Sequence, residues 1–210
     1  MNLTKNTILA LGLLAAAGVS NAQTTATNSA APVGLLGQTY SEVNFGVSDI
    51  THYSPNAYSL GVAGNAPVSP FLDLGAGYNY SWIGGADRGH GNTLSGGATL
   101  YKTFAGVKPF VGAAVGYQWT TFTYGRDEQA VWGATVGVEI PVSVITLTPR
   151  IVYADDFRGA NRSQQSTSYE VEANYWVTPK AGVFAGLGYT DVRRSSLDSW
   201  DYSVGARFKF

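Results

Sequence analysis

His90 sits in GGADRGHGN, three residues after Asp87, and Asp155 and Asp156 stand side by side in another polar stretch. A carboxylate beside an imidazole can activate water by general-base catalysis, so hydrolytic chemistry would have to start from these residues. His52 is the only other histidine and there is no cysteine. That excludes thiol chemistry and leaves two histidines in separate polar stretches, without a metal-ligand spacing. Serines occur singly, with no base and orienting acid beside them. The glycine-rich runs GAGYNY and GGADRGHG lack the following helix that a phosphate loop requires. No catalytic residue, metal or cofactor is expected, and the chain is not expected to be an enzyme.

A second group of reactive residues is more regular. Glu42, Asp73, Lys108, Glu139, Arg150, Glu170, Glu172, Asp201, Arg207 and Lys209, with Asn44, Asn79, Gln118 and Asn174, alternate with apolar residues. Such placement points to a polar face rather than to a catalytic constellation. The elements that carry this face therefore decide what it can do.

Charged residues are only 13% of the 210, while Gly numbers 26, Tyr 13 and Trp 5, a mixture unlike that of a soluble domain. The first 22 residues, MNLTKNTILALGLLAAAGVSNA, read as a cleaved secretory signal: Lys5, an apolar run from Ile8 to Val19, then Ser20-Asn21-Ala22. Its removal takes the 13 basic residues to 12 against 14 acidic ones, a net charge of −2. That balance offers no grip on nucleic acid. Absence of cysteine excludes a disulfide scaffold and an N-terminal lipid-modified cysteine. The stretch 23–38 opens on QTTATNSAAP and reads as a flexible periplasmic lead-in, which leaves 39–210 as the folded domain.

From about Tyr40, period-two alternation runs to the last residue and predicts ten strands, at 41–49, 57–64, 72–82, 92–104, 109–119, 130–140, 144–154, 166–177, 181–192 and 199–210. Eight strands is the alternative, should the hairpin 41–64 not join. The intervening turns fall into two classes. Those at 65–70, 105–107, 141–143 and 178–180 are short, while 50–56, 83–91, 120–129, 155–165 and 193–198 are longer and rich in Gly, Asn, Asp, Ser and Arg. Antiparallel strands then have one trimmed end and one looped end.

The content of the polar face distinguishes a soluble sandwich from a membrane barrel. Over 72–82 one face carries Leu72, Leu74, Ala76, Tyr78, Tyr80 and Trp82, and the other Asp73, Gly75, Gly77, Asn79 and Ser81. A face of glycine and small polar groups suits a cramped interior, not bulk water. Aromatic residues sort by height: Tyr58, Trp82, Trp119, Trp132, Tyr189 and Trp200 near the longer loops, Phe71, Phe104, Tyr175 and Phe208 near the short turns. Two aromatic girdles with aliphatics between them are what two lipid–water interfaces select. Unpaired backbone groups in lipid cost several kcal/mol each, so the sheet is expected to close.

The last strand, YSVGARFKF, carries apolar residues at alternate positions, among them Tyr202, Val204 and Phe208, and places Phe210 last. It resembles the C-terminal signature of bacterial outer-membrane β-barrels, which their assembly machinery recognises. In architecture the whole chain after the signal is similar to small outer-membrane barrels of the porin-like and opacity-protein type. That resemblance implies a single all-β antiparallel transmembrane barrel in the bacterial outer membrane. It further implies outer-membrane lipids and the barrel-assembly machinery as partners, and a monomer. The function it implies is a narrow passive pore for small hydrophilic solutes or a structural barrel, with surface adhesion over a plugged lumen as the alternative. An omptin-like or lipid-modifying outer-membrane enzyme is the remote alternative: ten-stranded omptin proteases carry acidic pairs and a histidine at the outer rim, but their close Asp-x-His is absent here, and of the Ser-His-acid set of the lipid-modifying barrels only isolated members occur.

Inward charges must pair or stay hydrated. If Tyr153 faces Tyr169 across its hairpin, equal counting sets Arg150 against Glu172. Closure of the barrel brings Glu42 near Arg207 or Lys209, and Lys108 meets Glu139 near the short turns.

Overall fold

The computed structural model describes residues 34–51, 56–84, 89–122, 125–158, 165–193 and 197–210. Residues rich in β-branched and aromatic side chains, alternating with glycine and small polar groups, form ten strands. In chain order these are β1 (Tyr40–Ile50), β2 (Ala57–Ser69), β3 (Leu72–Ile83), β4 (His90–Tyr101), β5 (Lys108–Phe122), β6 (Gly125–Val142), β7 (Ile145–Asp156), β8 (Ser166–Trp176), β9 (Ala181–Val192) and β10 (Ser199–Lys209). Each pairs antiparallel with its sequence neighbours, and β1 closes on β10 from Tyr40↔Lys209 to Ile50↔Ser199. The eight-strand alternative is thereby removed, because β1 and β2 pair along their length and complete the ring.

Burial runs opposite to that of a soluble protein. Leu74 (46%), Val115 (62%), Val136 (52%), Leu187 (42%) and Val204 (56%) are exposed on the outside, while Asp73 (0%), Glu139 (1%) and Arg207 (1%) are enclosed. Exposed apolar surface on this scale, continuous around the wall, is compatible with a hydrocarbon surround and not with water. Among the described residues no helix is long and apolar enough to cross a membrane. The strands are the only described elements able to cross one.

Several boundaries differ from the sequence expectation. Residues 120–122 and 125–129 are strand rather than loop: Trp119↔Glu128, Thr120↔Asp127 and Thr121↔Arg126 continue the β5–β6 ladder to Phe122↔Gly125. Polar composition misleads there, since Tyr117 donates from its hydroxyl to Glu128 at 2.6 Å and Arg126 pairs with Glu128 at 2.7 Å. Strand β2 likewise runs to Ser69 through what reads as a turn, with a register shift between Pro67 and Ser69 that accommodates the proline. In contrast, β4 stops at Tyr101, before the tight reversal at Ala105 and Gly106, both at positive φ. Between β6 and β7 the pairing passes from Gly137↔Arg150 to Ile140↔Leu147, and Pro149, which has no N–H to give, lies in that interval.

The signal segment 1–22 and the lead-in up to residue 33 lie outside the described residues. Residues 34–38, the remainder of that lead-in, are described, and Leu35, Leu36 and Gln38 are buried.

A charge on the outer wall should be costly in lipid. Val115→Arg, at the middle of β5, is expected to lower the unfolding free energy by about 2–4 kcal/mol, read from urea titrations of the chain folded into phospholipid vesicles. The same change at the strand end, Thr121→Arg, should cost less than half as much.

Candidate functional site

The barrel interior collects the charged residues that the alternation puts on its inner parity. Strand β10 contributes Asp201, Arg207 and Lys209, β8 contributes Glu170 and Glu172, and β1, β3, β5, β6 and β7 contribute Glu42, Asp73, Lys108, Glu139 and Arg150. All ten lie on the inward parity of their strands.

Arg207 is the hub. Its Nε donates to Glu42 Oε2 at 2.8 Å, its Nη1 and Nη2 donate to the two oxygens of Glu172 at 2.6 and 3.0 Å, and Nη1 also reaches Asn174 Oδ1 at 3.1 Å. The guanidinium lies over the Phe184 ring, 3.9 Å from its centroid. Fork geometry matters here: a planar guanidinium gives Glu172 a bidentate pair and still offers Nε to Glu42, a fixed arrangement that an ammonium lacks. Gly205 keeps the space for this stack, because a Cβ there would run into the Phe184 ring and the Val43 carbonyl.

Arg150 donates from Nε to Glu170 Oε2 at 2.6 Å. This corrects the counting that set Arg150 against Glu172. The β7–β8 register is Arg150↔Glu170 and Ile151↔Tyr169, so Tyr153 faces Thr167 and the whole hairpin is two residues off the assumed alignment. Glu172 is left for Arg207, two strands away. The other two expected meetings form: Glu42↔Arg207 on the closing ladder, and Lys108↔Glu139 with their charges 3.2 Å apart.

The remaining inward groups extend the polar lining toward both ends. Asp201 accepts from Thr190 at 2.6 Å, and Thr190 shares a hydrogen bond with Ser168 at 2.8 Å. Gln129 donates to Gln118 at 3.0 Å across β5 and β6, a rung that the loop reading of 120–129 hid. Lys209 places its ammonium 3.5 Å from the Trp176 ring centroid. At the end carrying the longer connections the polar lining gives way to an apolar cluster of Ile50, Ala57, Ile83 and Leu197 packed with Phe122. Alternation does not distinguish these inward aliphatics from outward ones near a strand end, so sequence reasoning passes over them.

On the outside, four of the five tryptophans lie toward the same end, each against a tyrosine. Trp82 stacks on Tyr58 and Tyr80, both at 5.7 Å between centroids, while Trp119 meets Tyr117, Trp132 meets Tyr153 and Trp200 meets Tyr189 at 6.2, 5.4 and 5.3 Å. His90 lies over Tyr80 at 6.1 Å in this outer row. Asp155 accepts from Gln165 and Asp156 from Arg158, at 3.1 and 3.2 Å. His52, Asp87 and Arg88 lie outside the described residues. In the closing strand, Tyr202, Val204 and Phe208 face outward, and Phe210 is exposed.

Removing the hub should expose its value. Arg207→Met strands two buried carboxylates and is expected to cost about 3–5 kcal/mol of unfolding free energy. Adding Glu42→Gln and Glu172→Gln should return most of that loss, as read by urea titration in one lipid.

No family model matches the chain, and no curated protein matches it in sequence. Solved structures do resemble it. The β domain of the Bordetella autotransporter BrkA matches with a TM-score of 0.50 at 12% identity, over 82% of this chain and 99% of that one. The translocator domain of the autotransporter NalP from Neisseria meningitidis gives 0.48 at 10% identity, over 82% and 88%. Neisserial surface protein A gives 0.44 at 14% identity, over 82% and 96%. At such identities the likeness concerns the fold alone: the chain is a closed, antiparallel, ten-stranded barrel, and its structural neighbours are outer-membrane β-barrels.

Proposed function

We propose that this chain is an integral outer-membrane barrel whose interior is closed at rest, and which acts through its wall and its longer connections as a structural and surface-interaction protein. The observation that carries this reading is the Glu42–Arg207–Glu172 network, which fills the interior along β1, β10, β9 and β8 with Arg207 1% exposed. Conduction needs a continuous wet path. Here the path meets buried ion pairs in the half nearer the short turns and the Ile50–Ile83–Leu197 cluster toward the longer connections. Placement in the outer membrane is supported by the apolar exterior and by the likeness of the closing strand to the barrel-assembly signature. On this reading the wall meets outer-membrane lipid as a monomer. The longer connections, whose sequences at 51–56, 84–89 and 157–165 carry Asp, Arg and aromatic residues, supply recognition on this reading. Neither nucleic acid nor a cofactor has a place in it, and it includes no enzymatic step.

One feature favours the narrow passive pore as a second reading. A cavity of about 80 Å³ lies beside Arg150, Glu170, Asp201 and Arg207, bordered by Gly46, Gly186 and Gly188. Water there would shorten the closed section to the ion-pair layer.

Planar-bilayer recording separates the two. The full chain is expected to give no steady unitary steps at moderate voltage, whereas the triple variant Glu42→Ala, Glu172→Ala, Arg207→Ala, which removes the ion-pair layer and leaves only exchangeable closures, should give brief openings. Steady unitary conductance from the unaltered chain would overturn the closed reading in favour of the pore.

A further inference from the structure

Five residues before β1, Gly34 to Gln38, turn back into the short-turn mouth of the barrel, and the mouth is built to hold them. Glu139 Oε2 accepts the backbone N–H groups of Leu35 and Leu36 at 2.6 and 2.7 Å, and Asp73 Oδ2 accepts that of Gly37 at 3.3 Å. Lys108 donates from Nζ to the Leu36 carbonyl, and Gln38 donates from Nε2 to the Gly34 carbonyl at 2.5 Å, closing the segment on itself. Orphan backbone groups in an enclosed space demand such partners, and here the side chains of three strands supply them.

The two leucines are seated separately. Leu35 packs with Tyr40 and Trp176, and Leu36 with Tyr101 and Phe110, so the apolar seats come from β1, β8, β4 and β5. The flanking glycines have physical reasons. A Cβ on Gly34 would run into Glu139 Oε1 and come within 2.9 Å of Lys108 Nζ, and Gly37 has φ 92°, a conformation costly for other residues. Both the segment and its receptor are thus specified by residue type.

We propose that the short-turn mouth is a peptide socket, filled in cis by Gly34-Leu35-Leu36-Gly37, and that this segment is the plug that closes the lumen from that side. The ligand class is a tight turn with two adjacent leucines whose N–H groups converge on one carboxylate. Nothing covalent ties the plug into the socket, so it is exchangeable while the wall stays intact. This inference stands apart from the closed-barrel reading: it holds whether or not the rest of the lumen conducts once the plug leaves.

The chain has no cysteine, so Thr99→Cys supplies a single thiol. Thr99 is 2% exposed and pairs with Asp73 beneath the plug. Reaction with a bulky water-soluble maleimide in detergent micelles then reports the open fraction. Relative to Thr99→Cys alone, adding Leu35→Ser with Leu36→Ser is expected to speed labelling by about tenfold or more, because the rate follows the local opening equilibrium. Gly37→Val, which leaves the leucines in place but strains the turn, should act in the same direction. Both variants alter the segment and not the wall, and a heat-modifiable gel band checks that each barrel is folded. A synthetic peptide of residues 33–40 should slow labelling of the double-serine variant again. Unchanged labelling in the folded double-serine and Gly37→Val variants would overturn the plug. Faster labelling that millimolar peptide fails to slow would overturn the socket.

Discussion

Backbone N–H and C=O groups cannot go unpaired where there is no water to receive them. A sheet in hydrocarbon therefore has no tolerable edge, and the closing ladder between β1 and β10 is the contact on which the remaining structure depends. Once the ring closes, every side chain has only two destinations, lipid or lumen. The period of two then assigns each residue to one of them. Leu74 and Val115 go outward while Asp73 and Gln118 go inward, with no further instruction needed.

Closure also creates a difficulty inside. Ten strands enclose a column too narrow for free solvation of ten charged groups, yet removing their charges would leave a lining with nothing to fix its packing. Arginine resolves this through geometry. Arg207 takes Glu42 from one neighbouring strand and Glu172 from two strands away, so it ties four consecutive strands, β1, β10, β9 and β8, together on the inner side of the seam. Because desolvating such ions offsets much of their attraction, the network contributes specificity of register more than net stability. A slip of one residue at the seam would turn Arg207 into the lipid.

Much of this is legible in the sequence because alternation is a local signal. The strand number, the outward set and the meeting of Glu42 with Arg207 follow from counting along two neighbouring strands that converge on the seam. Arg150 is misassigned because its register depends on the length of the β7–β8 connection, and an assumed Tyr153–Tyr169 pairing shifts every partner by two. The β5–β6 extension is hidden for another reason: hydrogen-bonded strands past the lipid can be polar on both faces, so TTFTYGRDEQ looks like a loop. Gly34–Gln38 carries a faint signal, two leucines bracketed by glycines after a Thr/Ala/Ser stretch. Its destination is set by Glu139, more than a hundred positions later, and no local pattern encodes that distance.

Which solvent touches the outward aliphatics decides whether this barrel spans a membrane. Single cysteines at positions 74, 115, 136, 187 and 204, bearing nitroxide labels in phospholipid vesicles, can be tested for collision with oxygen, which concentrates in hydrocarbon, and with a water-soluble nickel chelate. High oxygen and negligible nickel accessibility are expected at all five. Nickel accessibility matching that of a label in an exposed loop, or protection from both reagents in a dry protein core, would contradict a membrane-spanning barrel.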